Sequence, residues 1–127
     1  MTSGPDGLLF SRDHLWVRVT DGTARVGLTD FAQETLGDIV DISVPDENDR
    51  VTAGQACGDI ESAKSVSDLL APVSGIVTAV NANLDKRPEL VNTDPYGAGW
   101  LIDVRLSPGA GTADLLSATD YAQLIGR

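Results

Sequence analysis

A chain of 127 residues with 42% hydrophobic and 22% charged residues has enough apolar surface for one buried core, and no run in it approaches the length of a membrane span. Nineteen acids against nine bases leave a formal charge of -10, which argues against nucleic-acid binding because phosphate contacts need a basic surface. The one cysteine, Cys57, excludes an internal disulfide framework and fits a reducing compartment, and residues 1–7 lack the basic and apolar regions of a signal peptide, so the expected location is the cytoplasm.

The chain reads as a loose, Gly- and Pro-bearing arm over 1–8, a β core over 9–108 and a helical tail over 109–127. Leu15, Val17 and Val19 alternate with Trp16 and Arg18, and Ala24, Val26 and Leu28 alternate likewise across Asp21-Gly22, which predicts a hairpin. Thr29 or Asp30 is suited to cap a short helix over 31–36 that Gly37 ends. A strand over 39–44 is expected to put Val40, Ile42 and Val44 on one face and Asp41 and Ser43 on the other, and Pro45 closes it. In the polar turn that follows, Asn48 or Asp49 suits the left-handed conformation.

Residues 55–62 and 65–71 read as two strands with only Ala63 and Lys64 between them, a tight β-hairpin, although Ala-Lys is not the Asn-Gly or Asp-Gly pair such turns prefer. Lys64 then projects from the apex between the small residues Ser62, Ala63 and Ser65, where a partner can reach its amine. Taken alone, an exposed lysine is ordinary solvated surface. A strand over 76–80 follows, and the turns at 51–54 and 72–75 flank the hairpin, which hints at two similar halves. Residues 81–92 read as a connection with strand character near 89–92, and 94–99 as a turn that buries Tyr96. Trp100, Ile102, Val104 and Leu106 alternate with Leu101, Asp103 and Arg105 in another strand, and Ser107, Pro108 and Gly109 break it. A helix starting at Thr112 or Ser117 and running to Ile125 would present Leu115, Ala118, Ala122 and Ile125, with Gly126 as its stop. Many short strands separated by turns predict a mainly β barrel or sandwich with a short internal helix and a C-terminal helix.

The segment Glu61-Ser62-Ala63-Lys64-Ser65-Val66-Ser67-Asp68, with Ala71-Pro72-Val73-Ser74-Gly75, closely resembles the lipoyl-attachment motif of the H-protein of the glycine cleavage system. The blocks at 26–33, 36–40 and 88–100 are similar to the same family in order and spacing, so the resemblance runs from about His14 to Leu106. It implies a lipoyl/biotinyl-type barrel-sandwich hybrid and lipoate bound covalently as N6-lipoyllysine at Lys64, with Glu61, Ser62, Ala63, Ser65 and Asp68 forming the hairpin around the attachment site. It further implies a carrier, not an enzyme. Such a carrier is loaded by a lipoyl ligase or octanoyltransferase, and it shuttles an aminomethyl group and reducing equivalents between three enzymes. These are glycine decarboxylase (the P-protein, with pyridoxal phosphate), the tetrahydrofolate-dependent aminomethyltransferase (the T-protein) and dihydrolipoamide dehydrogenase (the L-protein).

The family usually has His-Glu-Trp near its N-terminus, and here the sequence is His14-Leu15-Trp16, so a glutamate that would help shelter the loaded arm is missing. Asp68 either faces the arm or is a solvated hairpin charge. An H-like relay that donates lipoyl groups to 2-oxo acid dehydrogenases keeps the same lysine with a different destination. A Schiff-base enzyme would need Lys64 desolvated. A biotin carrier is disfavoured by the lack of methionines beside Lys64. A Cys57/His14 nucleophilic pair lacks an orienting third group, and the glycines follow neither a P-loop nor a dinucleotide pattern.

Overall fold

The computed structural model describes residues 8–109, 112 and 114–126; of the expected arm over 1–8, all but Leu8 lies outside the described residues, and Leu8 itself is buried. Strands β1 (Leu9–Phe10), β2 (Leu15–Thr20) and β3 (Thr23–Leu28) begin the larger sheet. β2 and β3 pair in register from Leu15 with Leu28 to Thr20 with Thr23, around an Asp21-Gly22 turn in which both residues have positive φ, the twist that matches a two-residue hairpin. The sheet continues through β9 (Ile102–Leu106), β8 (Gly75–Val80) and β5 (Arg50–Val51), giving six antiparallel strands in the order β1-β2-β3-β9-β8-β5. A second sheet, β4 (Ile39–Ser43), β6 (Ala56–Ser62) and β7 (Val66–Leu70), lies in the order β4-β6-β7. The mainly β architecture, with a short internal helix after β3 and a C-terminal helix, agrees with the sequence-based expectation, to which the structure adds a second short internal helix and a 3-10 turn.

The main core forms where the two sheets face each other. Leu15, Val17, Ala24, Val26, Leu28, Val77 and Val104 from the first meet Ile42, Ile60 and Leu69 from the second. Strand alternation sends Trp16 to the opposite side of β2, where it is fully buried in a second cluster with Leu8, Phe10 and Tyr121. Its indole lies flat over Gly27, where an added Cβ would come within 2.5 Å of the ring, and its Nε1 donates to the Pro95 carbonyl at 2.9 Å.

Helix α1 (Asp30–Leu36) is capped by Thr29, whose side chain accepts from the Ala32 N–H, and ends at Gly37 with φ of 83°. Asn48 is left-handed at φ of 74°. Four expectations need correction. In β4 a bulge between Ile39 and Asp41 breaks the alternation, so Ile39 and Ile42 are buried while Val40 is 50% exposed. The connection over 81–92 is helical, a 3-10 turn over Ala82–Asp85 capped by Asn81 and then α2 (Leu90–Thr93). Pro88, with φ preset near the helical value and no N–H to satisfy, suits a position just before a helix as well as it suits a strand edge. The turn over 94–99 buries Pro95 and Gly99 while leaving Tyr96 half-buried. Of its two expected starts the tail helix α3 takes the second, Ala118–Leu124 with Ser117 as its cap, but its apolar face differs. Its buried side is set by one ring, Tyr121, stacked on Phe10 at 4.7 Å, while Ala118 is exposed and Ala122 and Ile125 are only half-buried.

Candidate functional site

Strands β6 and β7 pair as far as Glu61 opposite Val66, and the Ser62 N–H donates to the Ser65 carbonyl at 2.8 Å, so Ala63 and Lys64 form a two-residue connection. Neither residue has positive φ, so this is not the left-handed turn that Asn-Gly would give. The Ser62 side chain replaces that geometry. Its hydroxyl accepts from the Lys64 N–H at 3.3 Å and the Ser65 N–H at 3.1 Å and lies 3.2 Å from the Ser65 carbonyl, to which it donates. One donor and two acceptor sites are the full capacity of a hydroxyl. Ser62→Ala should therefore destabilise the turn by about 1–2 kcal/mol, read as faster amide hydrogen exchange at Lys64 and Ser65. Unchanged exchange would show that the hydroxyl contributes nothing.

The turn is anchored from below. The Ala63 N–H donates to the Asp38 carbonyl at 3.0 Å, and the Lys64 stem crosses Gly37, where an added Cβ would lie 3.2 Å from Lys64 Cε. Gly37 and Ile39 are in turn held by Asn92, whose Nδ2 donates to the Gly37 carbonyl at 2.9 Å and to Gln33 Oε1 at 3.0 Å, while its Oδ1 accepts from the Ile39 N–H at 2.9 Å. The blocks at 36–40 and 88–100, distant in sequence, thus converge beneath Lys64. Sequence reasoning marks Gly37 only as a helix stop and does not single out Asn92, whose only sign is its place inside a block shared with the family.

Lys64 is exposed, and no carboxylate among the described residues lies within ion-pair distance of its Nζ. Ser62, Ala63 and Ser65 are its neighbours in the turn. Glu61 and Asp68 instead lie on the outer face of the smaller sheet, Glu61 opposite Asp41 and Val66, and Asp68 opposite Asp59. Four exposed carboxylates, Asp41, Asp59, Glu61 and Asp68, therefore occupy two adjacent rungs next to Val66, which is 65% exposed. Like charges directly opposite one another are destabilising, so the fold gains nothing from this arrangement.

The remaining candidates have structural partners. Leu15 is 1% exposed and packs in the main core, so the position where the family has glutamate offers Lys64 no polar group. His14, at φ of 70°, shares a hydrogen bond of 3.0 Å between its Nδ1 and the Tyr121 hydroxyl, which lies 2.8 Å from Thr29 Oγ1. Tyr96 receives the Asp30 N–H at 3.1 Å. Cys57 is half-buried beside Pro45 and Gln55, and burial raises its thiol pKa. Among the described residues no group of three or more His, Cys, Asp or Glu side chains is placed to hold a metal ion, and no helix is long and apolar enough to cross a membrane.

Burial lowers the His14 pKa from its ordinary 6.5, partly offset by Asp13. A base held below its unfolded value binds fewer protons when folded, so its stabilising contribution is complete above pH 6.5 and is lost as pH falls below it. The urea midpoint should drop over that window, and His14→Gln should flatten the slope. An identical slope in the variant would remove His14 from the account.

The chain matches the glycine cleavage H-protein family over residues 8–127. It is 52% identical over 119 residues to the glycine cleavage system H protein of Mycobacterium avium, an alignment covering 93% of this chain and 90% of that protein. It is 50% identical over 124 residues to the glycine cleavage system H protein of Micrococcus luteus, covering 96% of this chain and 97% of that one. The crystal structure of a glycine cleavage system H protein from Mycobacterium marinum superposes with a TM-score of 0.90 at 40% identity, covering 98% of this chain and all of that one. The chain belongs to the glycine cleavage H-protein family.

Proposed function

We propose that Lys64 carries lipoate in amide linkage and that the chain shuttles the aminomethyl group and reducing equivalents of glycine between the enzymes of the glycine cleavage system. The observation that carries this reading is an exposed amine, with no ion-pair partner among the described residues, at the apex of a hairpin whose turn is held by the Ser62 hydroxyl and the Asp38 carbonyl, in a chain of the H-protein family. The site fits the group. Acylation needs an accessible amine and an open approach, and the small neighbours Ala63 and Ser65 with Gly37 beneath supply both. Bound lipoate supplies a disulfide that takes up two electrons and a one-carbon unit and is restored by oxidation.

The chain's own residues present the group and do not perform the chemistry. A lysine amine is largely protonated near neutral pH, so the loading enzyme, a lipoyl ligase or octanoyltransferase, must remove the proton in its own site. The Ser62 hydroxyl is fully engaged within the turn, and His14 is engaged with Tyr121. A Schiff-base role needs a desolvated amine, which the exposed Lys64 is not. The carboxylates at Asp41, Asp59, Glu61 and Asp68 give the hairpin a negative flank that favours basic docking sites on its partners, here glycine decarboxylase, aminomethyltransferase and dihydrolipoamide dehydrogenase in the cytoplasm.

The test is glycine-dependent carbon dioxide release by a pyridoxal-phosphate glycine decarboxylase with this chain as acceptor. Release is expected only with the lipoylated form. Equal release with unmodified protein, or none with the lipoylated form, would overturn the proposal.

A further inference from the structure

The outer face of the six-stranded sheet, which looks away from the sheet that bears Lys64, gathers positive charge on a protein with a formal charge of -10. Arg18 and Arg25 lie directly opposite each other on β2 and β3, and Arg25 lies opposite Asp103 on β9. The adjacent rung carries Thr20, Thr23 and Arg105. Two guanidinium groups facing each other across a strand pair repel, and only one of them has a carboxylate partner. Asp103 grips Arg25 through Nε at 2.9 Å and Nη2 at 3.1 Å, which leaves Nη1 with no hydrogen-bond partner among the described residues, and Arg25 also stacks over Trp100 with its Cζ 4.0 Å from the ring centre. Arg18 rests over Trp16 at 5.4 Å, and no carboxylate among the described residues pairs with it. Arg18, Thr20, Thr23, Arg25 and Asp103 line one open cleft of about 260 Å³.

We propose that this cleft binds a small phosphate-class oxyanion between Arg18 and Arg25, with the Thr20 and Thr23 hydroxyls as additional donors. The chemistry is that of forked guanidinium recognition. Arg18 offers a planar pair of N–H donors matched to two oxygens of a tetrahedral dianion, and Arg25, whose Nε and Nη2 hold Asp103, adds the N–H groups of Nη1. The aromatic rings and Asp103 hold both groups before a ligand arrives, which lowers the ordering cost of binding. An intervening dianion would also turn the Arg18–Arg25 repulsion into two attractive contacts. The cleft is a separate site from the Lys64 hairpin, so occupancy leaves the hairpin free for its partners.

The test is a ¹H–¹⁵N NMR titration of the full chain at constant ionic strength and neutral pH, with parallel arms of inorganic phosphate, adenosine 5′-monophosphate and chloride. Saturable shifts are expected at the Thr20 and Thr23 amides and the Arg18 and Arg25 Nε groups, with phosphate but not with chloride. Tighter binding of the nucleotide would identify the ligand as the phosphate monoester of a small molecule, and equal binding would identify it as the free anion. Arg18→Gln should weaken binding at least about tenfold, and Arg50→Gln, on β5, should not change it. Arg18→Lys keeps the charge but not the fork and should weaken binding several-fold, which decides the matter should the glutamine variant misfold. Shifts reproduced by chloride, shifts that never saturate, or an affinity unchanged in both Arg18 variants would overturn the proposal.

Discussion

Lys64→Arg is expected to abolish lipoylation completely while leaving the fold intact. Lys64 is exposed and has no ion-pair partner among the described residues, and such surface substitutions change stability by no more than about 0.5 kcal/mol. Arginine preserves the charge and most of the stem that crosses Gly37, yet a guanidinium is not deprotonated at ordinary pH and offers no amine for acylation. The chain has only one other lysine, Lys86, which is exposed beside the 3-10 turn and is not on a hairpin. It serves as an internal control. Intact-mass and peptide mass spectrometry of protein produced with lipoate available should show one modification on the wild type, at Lys64, and none on the variant. A variant modified at Lys86 would mean that the loading enzyme reads exposure alone and that the pinned turn is irrelevant to selection. An unmodified wild type under conditions that load another family member would remove the attachment site altogether.

The hairpin that presents Lys64 is legible in the sequence because both its strands announce themselves by composition and leave only two residues to connect them. Its turn chemistry is not. Asn-Gly signals act through backbone dihedrals, whereas here a side chain, Ser62, supplies the acceptor that closes the turn, and a serine at a strand end gives no such signal by itself. Alternation also fails at β4, where a bulge turns Val40 outward, because a bulge depends on the partner strand and leaves no period in its own sequence. The tail helix illustrates a different limit. Spacing of aliphatic residues suggests a broad apolar face, but burial is decided by a single aromatic ring whose partner, Phe10, lies more than a hundred positions earlier. The acidic flank is readable as charge, but its concentration into two rungs of one sheet face appears only once strand register is known.

The same reasoning makes Asn92 the position where a substitution away from Lys64 should do most harm. Asn92→Ala would delete three hydrogen bonds at once and leave the Gly37 carbonyl and the Ile39 N–H without partners, next to an Ile39 side chain that is 4% exposed. At about 1 kcal/mol for each bond, with a further penalty for part-buried groups left unsatisfied, the expected loss is roughly 3–4 kcal/mol, or about 10 °C in Tm. The effect should also reach Lys64. Asp38, whose carbonyl receives the Ala63 N–H, lies between the two residues that Asn92 holds, so freeing the segment loosens the base of the turn. Lipoylation should therefore slow at temperatures where the variant is still folded, with faster hydrogen exchange at Ala63. Asn92→Asp separates the contributions, since it keeps the acceptor for the Ile39 N–H and loses both donated bonds, and it should fall between wild type and alanine in each measurement. If Asn92→Ala melts with the wild type, the anchor is not energetic. If it melts early but is lipoylated at the wild-type rate, the turn holds its shape without support from below, and the loading enzyme recognises the β6–β7 hairpin alone.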